Sequence, residues 1–117
     1  MKKILPFLML FSLIAISVFA SSNDQAVNIQ LIPNPFTKVV AISSSSVHQG
    51  MDAVVTITDA KDNLIKTVFN GNVKSNFLQT SWNGTNLNNV KVKPGKYFVN
   101  ITANSRYLAL KKVVILK

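Results

Sequence analysis

The chain has 117 residues, 48% of them hydrophobic, and a formal net charge of +9 at pH 7. This length allows one small domain, which buries only about two-thirds of the surface of its unfolded chain. There is no cysteine. Disulfides, an acylated lipoprotein anchor and thiolate metal sites are therefore excluded, and the core must come from apolar packing alone.

The first twenty residues have the three zones of a secretory signal peptide. Lys2 and Lys3 precede an almost wholly apolar run over residues 4–19, and Val18-Phe19-Ala20 places small or modest side chains just before Ser21. An apolar run of about 16 residues is short of the roughly 20 that span a bilayer. We predict a cleaved signal over residues 1–20, a short segment over 21–30 and one domain over 31–117. The mature chain then has no integral membrane segment and is exported through the inner membrane to the periplasm, the cell surface or the medium.

The basic charge remains after the signal is removed. Without Lys2 and Lys3, eleven of the 13 basic residues remain against four acidic ones, a net charge of +7. The lysines are scattered at predicted strand ends and turns, whereas a nucleic-acid surface needs a concentrated stripe with stacking aromatics. No nucleic-acid partner is predicted. The lysines are expected to keep the domain soluble, protect strand edges and attract it weakly to anionic surfaces.

The mature chain is predicted to form short strands separated by turns. Residues 27–32 and 38–43 are the first two runs, separated by Pro33-Asn34-Pro35, whose prolines enforce an extended kink. Residues 43–50 are polar and are predicted as a loop. Residues 52–59 alternate apolar and polar side chains with the two-residue period of a half-buried strand.

The second half continues the pattern. Residues 59–63 form a turn, 64–69 a strand, and Asn70-Gly71 is a strong turn dipeptide. Strands are then predicted over 77–82, 96–103 and 106–116, with an asparagine-rich loop over 83–89. The last strand is apolar through residues 113–116, as in a strand covered on both faces.

Seven strands at roughly ten-residue spacing predict an all-β fold, a seven-stranded antiparallel immunoglobulin-like β-sandwich of fibronectin III-like type. A transmembrane barrel needs an even number of longer strands, at least eight of about nine residues or more. The sandwich is therefore the predicted fold.

Five landmarks occur in a characteristic order. They are Pro33-Asn34-Pro35-Phe36, the strand–turn–strand over 58–68, Ser81-Trp82-Asn83-Gly84-Thr85, Pro94-Gly95-Lys96-Tyr97-Phe98-Val99 and the terminal Lys111-Lys112-Val113-Val114-Ile115-Leu116-Lys117. Together they resemble the immunoglobulin-like domain of the flagellar hook-capping protein FlgD and of type A carboxyl-terminal sorting domains of the type IX secretion system. The resemblance covers residues 31–117. It implies a module without catalytic residues that, in sorting domains, is an address recognised by an outer-membrane secretion machinery.

The landmark residues also have structural explanations. Pro33, Asn34 and Pro35 end a strand, and Gly84 and Gly95 permit turns. Trp82 and Tyr97 are expected in the core with their polar tips near the rim. The candidate recognition strand is Lys111, Lys112, Val113, Val114, Ile115, Leu116 and Lys117, because an edge strand can be recognised by strand addition. A strand end guarded by lysines is the alternative.

Catalytic, metal and cofactor sites are not predicted. His48 and Asp52 provide too few metal ligands, and Asp59 and Asp62 lack the oxygen-rich loop that calcium requires. The serines at 43–46 have no base beside them. The predicted function is an exported non-catalytic module that binds a protein partner, which the resemblance identifies as type IX secretion machinery. The alternatives are a structural subunit of an extracellular or cell-surface assembly and an accessory domain for a separately encoded enzyme.

Overall fold

The computed structural model describes residues 28–104 and 108–117. The predicted signal peptide and the predicted start of the last strand at residue 106 lie outside these ranges. The described residues form seven strands: β1 (Gln30–Ile32), β2 (Val40–His48), β3 (Asp52–Thr58), β4 (Leu64–Asn72), β5 (Phe77–Trp82), β6 (Gly95–Ala103) and β7 (Leu108–Leu116).

The strands form two antiparallel sheets. The first has three strands in the order β1-β2-β5, and the second has four in the order β4-β3-β6-β7. All strand pairs within the sheets are antiparallel, and the chain changes sheet three times, at the β2–β3, β4–β5 and β5–β6 connections. The seven-stranded immunoglobulin-like sandwich of fibronectin III-like type is confirmed.

The core lies between the sheets and follows the alternation of the sequence. In β3, Val55 and Ile57 are fully buried, and in β6, Val99 and Ile101 are fully buried opposite them. The first sheet contributes its own inward residues, namely Val40, Ile42, Leu78 and Trp82. Each buried aliphatic side chain stabilises the fold by about 1.5 to 3 kcal/mol relative to exposure, which compensates for the absence of disulfides.

Three aromatic rings pack against one another at one end of the core. The Trp82 ring centroid lies 5.5 Å from that of Phe36 and 5.3 Å from that of Tyr97, with tilted and edge-to-face geometry. Trp82 belongs to β5 in the first sheet, and Tyr97 belongs to β6 in the second. Phe36 lies between β1 and β2. These three rings therefore connect β5, β6 and the segment between β1 and β2.

The hydroxyl of Tyr97 fixes the entry into β6. It donates a hydrogen bond of 2.6 Å to the Lys93 carbonyl four residues upstream, as the corner tyrosine of immunoglobulin-like sandwiches does. Burial, and to a smaller extent the negative charge of Asp59, raises the pKa of Tyr97. The phenol is therefore protonated and donates at neutral pH.

β2 is longer than predicted. The polar segment after Ser43 was expected to be a loop, but β2 continues to His48. Ser44 takes an inward position at 0% exposure because its hydroxyl donates to the Asn28 carbonyl at 2.8 Å. A bulge between Ser44 and His48 then turns Val47 into the core. A hydroxyl with a fixed partner can thus replace an apolar side chain inside a strand.

Asn70-Gly71 does not form the predicted turn. β4 continues through both residues to Asn72, and they pair with Val54 and Ala53 of β3. Pairing with the neighbouring strand outweighs the local turn preference, because each additional pair satisfies backbone groups. The connection to β5 instead occupies residues 73–76.

β7 is covered on one face only, which corrects the prediction of a doubly covered strand. It is an edge strand, and its side chains alternate: Leu110, Val114 and Leu116 are buried, whereas Val113 is 37% exposed. The apolar run over residues 113–116 therefore includes side chains on both the core face and the outer face. This arrangement leaves apolar side chains on the outside of the sandwich.

The turn between β3 and β4 is organised by Asp59. Its carboxylate accepts hydrogen bonds from the backbone N–H groups of Lys61 and Asn63, both at 2.9 Å, and from the Asn63 side-chain amide at 3.1 Å. Bonding by the Asn63 backbone, followed by its side chain, lowers the pKa of Asp59. This is the Asp-centred turn that the sequence indicates.

We expect Tyr97→Phe to lower the free energy of unfolding by about 1 kcal/mol, because the Lys93 carbonyl loses its donor while the ring remains packed. Urea denaturation followed by tryptophan fluorescence measures this change. Thr102→Val, which removes an exposed hydroxyl from the same strand, should change it by less than about 0.5 kcal/mol. Equal stability of Tyr97→Phe and wild type would contradict the role of the hydroxyl.

The Asp59 turn should stabilise the protein only above acid pH. Because the pKa of Asp59 is lower in the folded than in the unfolded chain, its charge stabilises the folded state above the ordinary carboxyl pKa. This contribution is lost as the pH falls through the folded-state value. We expect Asp59→Asn to be less stable than wild type at pH 7 and the difference to shrink as the pH falls from the ordinary carboxyl pKa through the lower folded-state value. A difference independent of pH in urea titrations would contradict this assignment.

Candidate recognition surface

The segment after β1 carries the chain from one sheet to the edge of the other. Beyond Pro33-Asn34-Pro35, Phe36 forms a parallel bridge with Leu116. The Phe36 N–H donates to the Ile115 carbonyl at 2.9 Å, and the Lys117 N–H donates to the Phe36 carbonyl at 2.8 Å. The segment thus forms a short parallel bridge at the edge of the second sheet before the chain returns to the first sheet as β2.

Asn34 extends this pairing with its side chain. Its Nδ2 donates to the Val113 carbonyl at 3.1 Å, and its Oδ1 accepts from the Ile115 N–H at 3.0 Å. The amide therefore acts as a peptide group would in a ladder, with one donor and one acceptor. Together with Phe36 it occupies the outward backbone groups of β7 from the Val113 carbonyl to the Lys117 N–H.

These bonds limit how β7 can be recognised. Strand addition along the whole of residues 111–117 would require displacement of Asn34 and Phe36. A partner can pair without that displacement only with the part of the edge before the Val113 carbonyl. Over the rest of the strand, the features accessible to a partner are side chains.

The side chains of the candidate recognition strand point in two directions. Lys112, Val114 and Leu116 are on the core side, and Lys112 Nζ donates to the Ile29 carbonyl at 2.9 Å. Lys111, Val113 and Ile115 lie on the outer face of the four-stranded sheet, and Lys117 is exposed beyond the strand. The outward set is therefore two lysines and two β-branched apolar residues.

The outer face joins Val113 to residues of three other strands. Val113 pairs with Phe98, Phe98 pairs with Thr58, and Thr58 pairs with Leu64. We call these four residues the outer row. Leu64 is 50% exposed and Val113 37% exposed at its two ends, with the partly exposed Phe98 ring between them. Three of the four side chains are apolar, and the fourth, Thr58, is buried between Leu64 and Phe98.

Lysines flank the outer row. Lys111 Nζ lies 5.0 Å from the centroid of the Phe98 ring, a cation–π contact of about 0.5 to 1 kcal/mol at an exposed site. Lys96 pairs with Ile115 on the same face and is exposed. An apolar centre with a charged rim is the usual composition of a protein-binding patch.

Leu64 and Phe98 were not singled out from the sequence. Phe98 alternates with the buried Tyr97 and Val99, so its outward direction was readable from the strand period. Its position beside Val113 depends on the pairing of β6 with β7. Leu64 was predicted to begin a strand, but its place in the row is set by two register shifts in the β3–β4 pair.

The remaining landmarks pack the end of the sandwich. Trp82 is 1% exposed, and its indole N–H donates to the Thr85 carbonyl at 2.8 Å. Gly84 has a φ of +77°, and a side chain there would meet Lys91 Nζ at 3.0 Å and Leu116 at 3.4 Å. The 82–85 corner thus packs against the end of β7, and the positive φ at position 84 favours glycine.

The described residues contain no group of three or more His, Cys, Asp or Glu side chains that could hold a metal ion. No helix long and apolar enough to cross a membrane occurs in residues 28–104 or 108–117.

The fold, the crossing segment and the corner tyrosine define an immunoglobulin-like β-sandwich domain. The model of the FlgD Ig-like domain family matches residues 37–106, and the chain belongs to this family. The match includes β2 to β6, so Pro33-Asn34-Pro35 and β7 lie outside it.

A solved structure has a similar fold. It is the dimeric latent PorU from Porphyromonas gingivalis, with a TM-score of 0.60 and 20% sequence identity. The likeness covers 75% of this chain and 9% of the PorU chain, so it concerns one domain-sized part of a much longer protein and shows the fold alone. Comparison with curated protein sequences gave no match.

We expect Asn34→Ala to destabilise the end of β7, because the Ile115 N–H and the Val113 carbonyl lose their partner. The free energy of unfolding should fall by about 1 kcal/mol, and hydrogen exchange of the Ile115 amide should accelerate about tenfold. Asn88→Ala, in the exposed 83–91 loop, is the matched control and should change neither. Unaltered exchange at Ile115 in Asn34→Ala would show that the amide does not close this edge.

Proposed function

We propose that the protein is an exported, non-catalytic module that acts by binding a protein partner through the outer row and the outward side chains of β7. The lysine-flanked apolar row is the observation that carries this proposal. Leu64 and Val113 are large exposed apolar side chains in one cross-strand row. An exposed apolar patch rimmed by polar residues is typical of interaction sites in soluble proteins.

Export is supported by the sequence of residues 1–20. The zones of that segment are those of a cleaved secretory signal, with Ser21 as the first residue of the mature chain. The absence of cysteine is compatible with folding in any redox compartment. The proposed destination is the periplasm, the cell surface or the medium.

The proposed partner is the outer-membrane machinery of type IX secretion. Support comes from membership of the FlgD Ig-like family and from the resemblance of residues 31–117 to type A sorting domains. The hydrogen bonds at the end of β7 suggest how a receptor would contact this strand. The end of β7 is held by Asn34 and Phe36, so a receptor would contact Lys111, Val113 and Ile115 by their side chains.

Charge complementarity suggests the character of the receptor surface. Lys96 and Lys111 lie beside the row, and the three acidic residues among the described ranges are Asp52, Asp59 and Asp62. Because Asp59 and Asp62 lie in the turn between Thr58 and Leu64, a partner surface with an apolar centre and acidic groups on its β7 side would match. Charges at the rim of an interface affect association rate and specificity more than affinity.

The test measures localisation of full-length variants in cells that carry a type IX system. Val113→Ser and Leu64→Ser should shift the protein from the surface and medium to the periplasm. Matched controls are Val90→Ser and Leu87→Ser, which change residues that are 56% and 61% exposed elsewhere. An antibody against the folded domain detects the protein, and intact mass reports whether Ser21 is its first residue.

The outcomes separate the parts of the proposal. Normal localisation of folded Val113→Ser and Leu64→Ser proteins would refute recognition through the outer row. Equal loss of localisation in the control variants would refute the specificity of this surface. A mature chain that retains residues 1–20 would refute the cleaved signal. Thermal melting of each purified variant establishes that it folds.

A further inference from the structure

The two sheets differ sharply in charge. The three strands of the first sheet contain no lysine, arginine, aspartate or glutamate, whereas each of the four strands in the second sheet contains at least one. The domain as a whole is strongly basic. Apart from His48 at the end of β2, its first sheet therefore has no ionisable side chain, and it lies on the side opposite the outer row.

The outer face of this sheet is composed mainly of amides, hydroxyls and small side chains, with Ile32 and Phe77 as its large apolar residues. Gln30 pairs with Ser43, and Ser43 pairs with Gln79, so these three form one row across the sheet. The next row is Ile32, Ala41 and Ser81. Amides and hydroxyls both donate and accept hydrogen bonds without carrying charge.

A shallow cavity of about 180 Å³ lies at one end of this face. It is lined by Asn28, Gln30, Ser43, Ser45 and Phe77. The Phe77 side chain is 36% exposed at the start of β5. The cavity therefore combines an exposed phenyl ring with four neutral side chains that can form hydrogen bonds.

Hydrogen bonds hold some of the side chains that line the cavity in place. Asn28 Nδ2 donates to Ser45 Oγ at 2.8 Å and to Ser46 Oγ at 2.9 Å. The Asn28 carbonyl accepts from the Ser44 hydroxyl at 2.8 Å. Side chains that are already hydrogen-bonded to each other lose less conformational freedom when a ligand binds.

We propose that this face binds an uncharged glycan, with one sugar ring on Phe77 in the cavity. A sugar ring has an apolar C–H face that packs on an aromatic ring and an edge of hydroxyls that bond to amides and hydroxyls. The cavity is smaller than the roughly 300 to 1,000 Å³ of sites for larger ligands. It holds a single ring beside Gln30 and Ser43, and further rings extend beyond the cavity over Gln79.

The chemistry disfavours other occupants. An anionic ligand would gain more from the lysines of the second sheet than from a face without charge. A hydrophobic protein partner would find one exposed ring and Ile32 among polar side chains, whereas interface centres are rich in aromatic residues. This inference does not rest on the proposed function, because it concerns the other face of the sandwich.

The test uses the protein purified after export with its own leader. The probes are the uncharged hexasaccharides of cellulose, laminarin, amylose, mannan and chitin, with polygalacturonate as an anionic comparison. Titration calorimetry should show binding of at least one neutral hexasaccharide, unchanged between low and high salt because no ion pair contributes. Phe77→Ala should weaken it at least about tenfold through loss of ring packing.

Control variants keep the result interpretable. Leu87→Ala removes an apolar side chain that is more exposed than Phe77, 61% against 36%, from the 83–91 loop, and should bind as wild type does. Gln79→Ala should weaken binding less than Phe77→Ala, and it provides a second variant if Phe77→Ala does not fold. Amide chemical-shift changes on addition of the sugar should fall on β1, β2 and β5.

Several results would overturn the proposal. They are no binding of any neutral hexasaccharide, binding of polygalacturonate alone, unaltered binding by folded Phe77→Ala, and shift changes confined to β6 and β7. A dimer that forms through this face with no sugar binding, seen by light scattering at increasing concentration, would identify a second copy of the chain as the occupant instead.

Discussion

The contact of Trp82 with Phe36 and Tyr97 is the interaction on which the rest of the domain depends. It joins β5 of the first sheet, β6 of the second sheet and the segment between β1 and β2 that contains Phe36. In a small domain without disulfides, such aromatic contacts supply a large share of the buried apolar surface. Their polar tips are also used: the indole N–H holds the 82–85 corner, and the Tyr97 hydroxyl holds the entry to β6.

The position of Phe36 has a consequence for the surface of the molecule. Because its ring is anchored on Trp82, its backbone pairs with the end of β7, and Asn34 completes that edge. Protected edges discourage indiscriminate pairing with other chains. At the end of β7, the features accessible to a partner are therefore side chains and not the backbone edge.

Most of the fold could be predicted from local patterns. The alternation in β3 and β6 is strict because one face of each strand is buried, and the spacing of turns indicated seven strands. The errors occurred where tertiary contacts outweighed local preference. Ser44 is tolerated inside because Asn28 accepts its hydroxyl, and Asn70-Gly71 stays extended because β3 pairs with it. Neither partner can be identified from residues close in sequence.

The sequence by itself determined the class of fold and the alternating core residues of β3 and β6, because these depend on short-range periodicity and residue type. The tertiary structure alone decided which side chains of the strand at 111–117 are accessible and that Leu64 and Phe98 join Val113. It also decided that all the uncharged strands share one sheet. These properties depend on the order of strands and their register, which are set by packing between residues far apart in the chain.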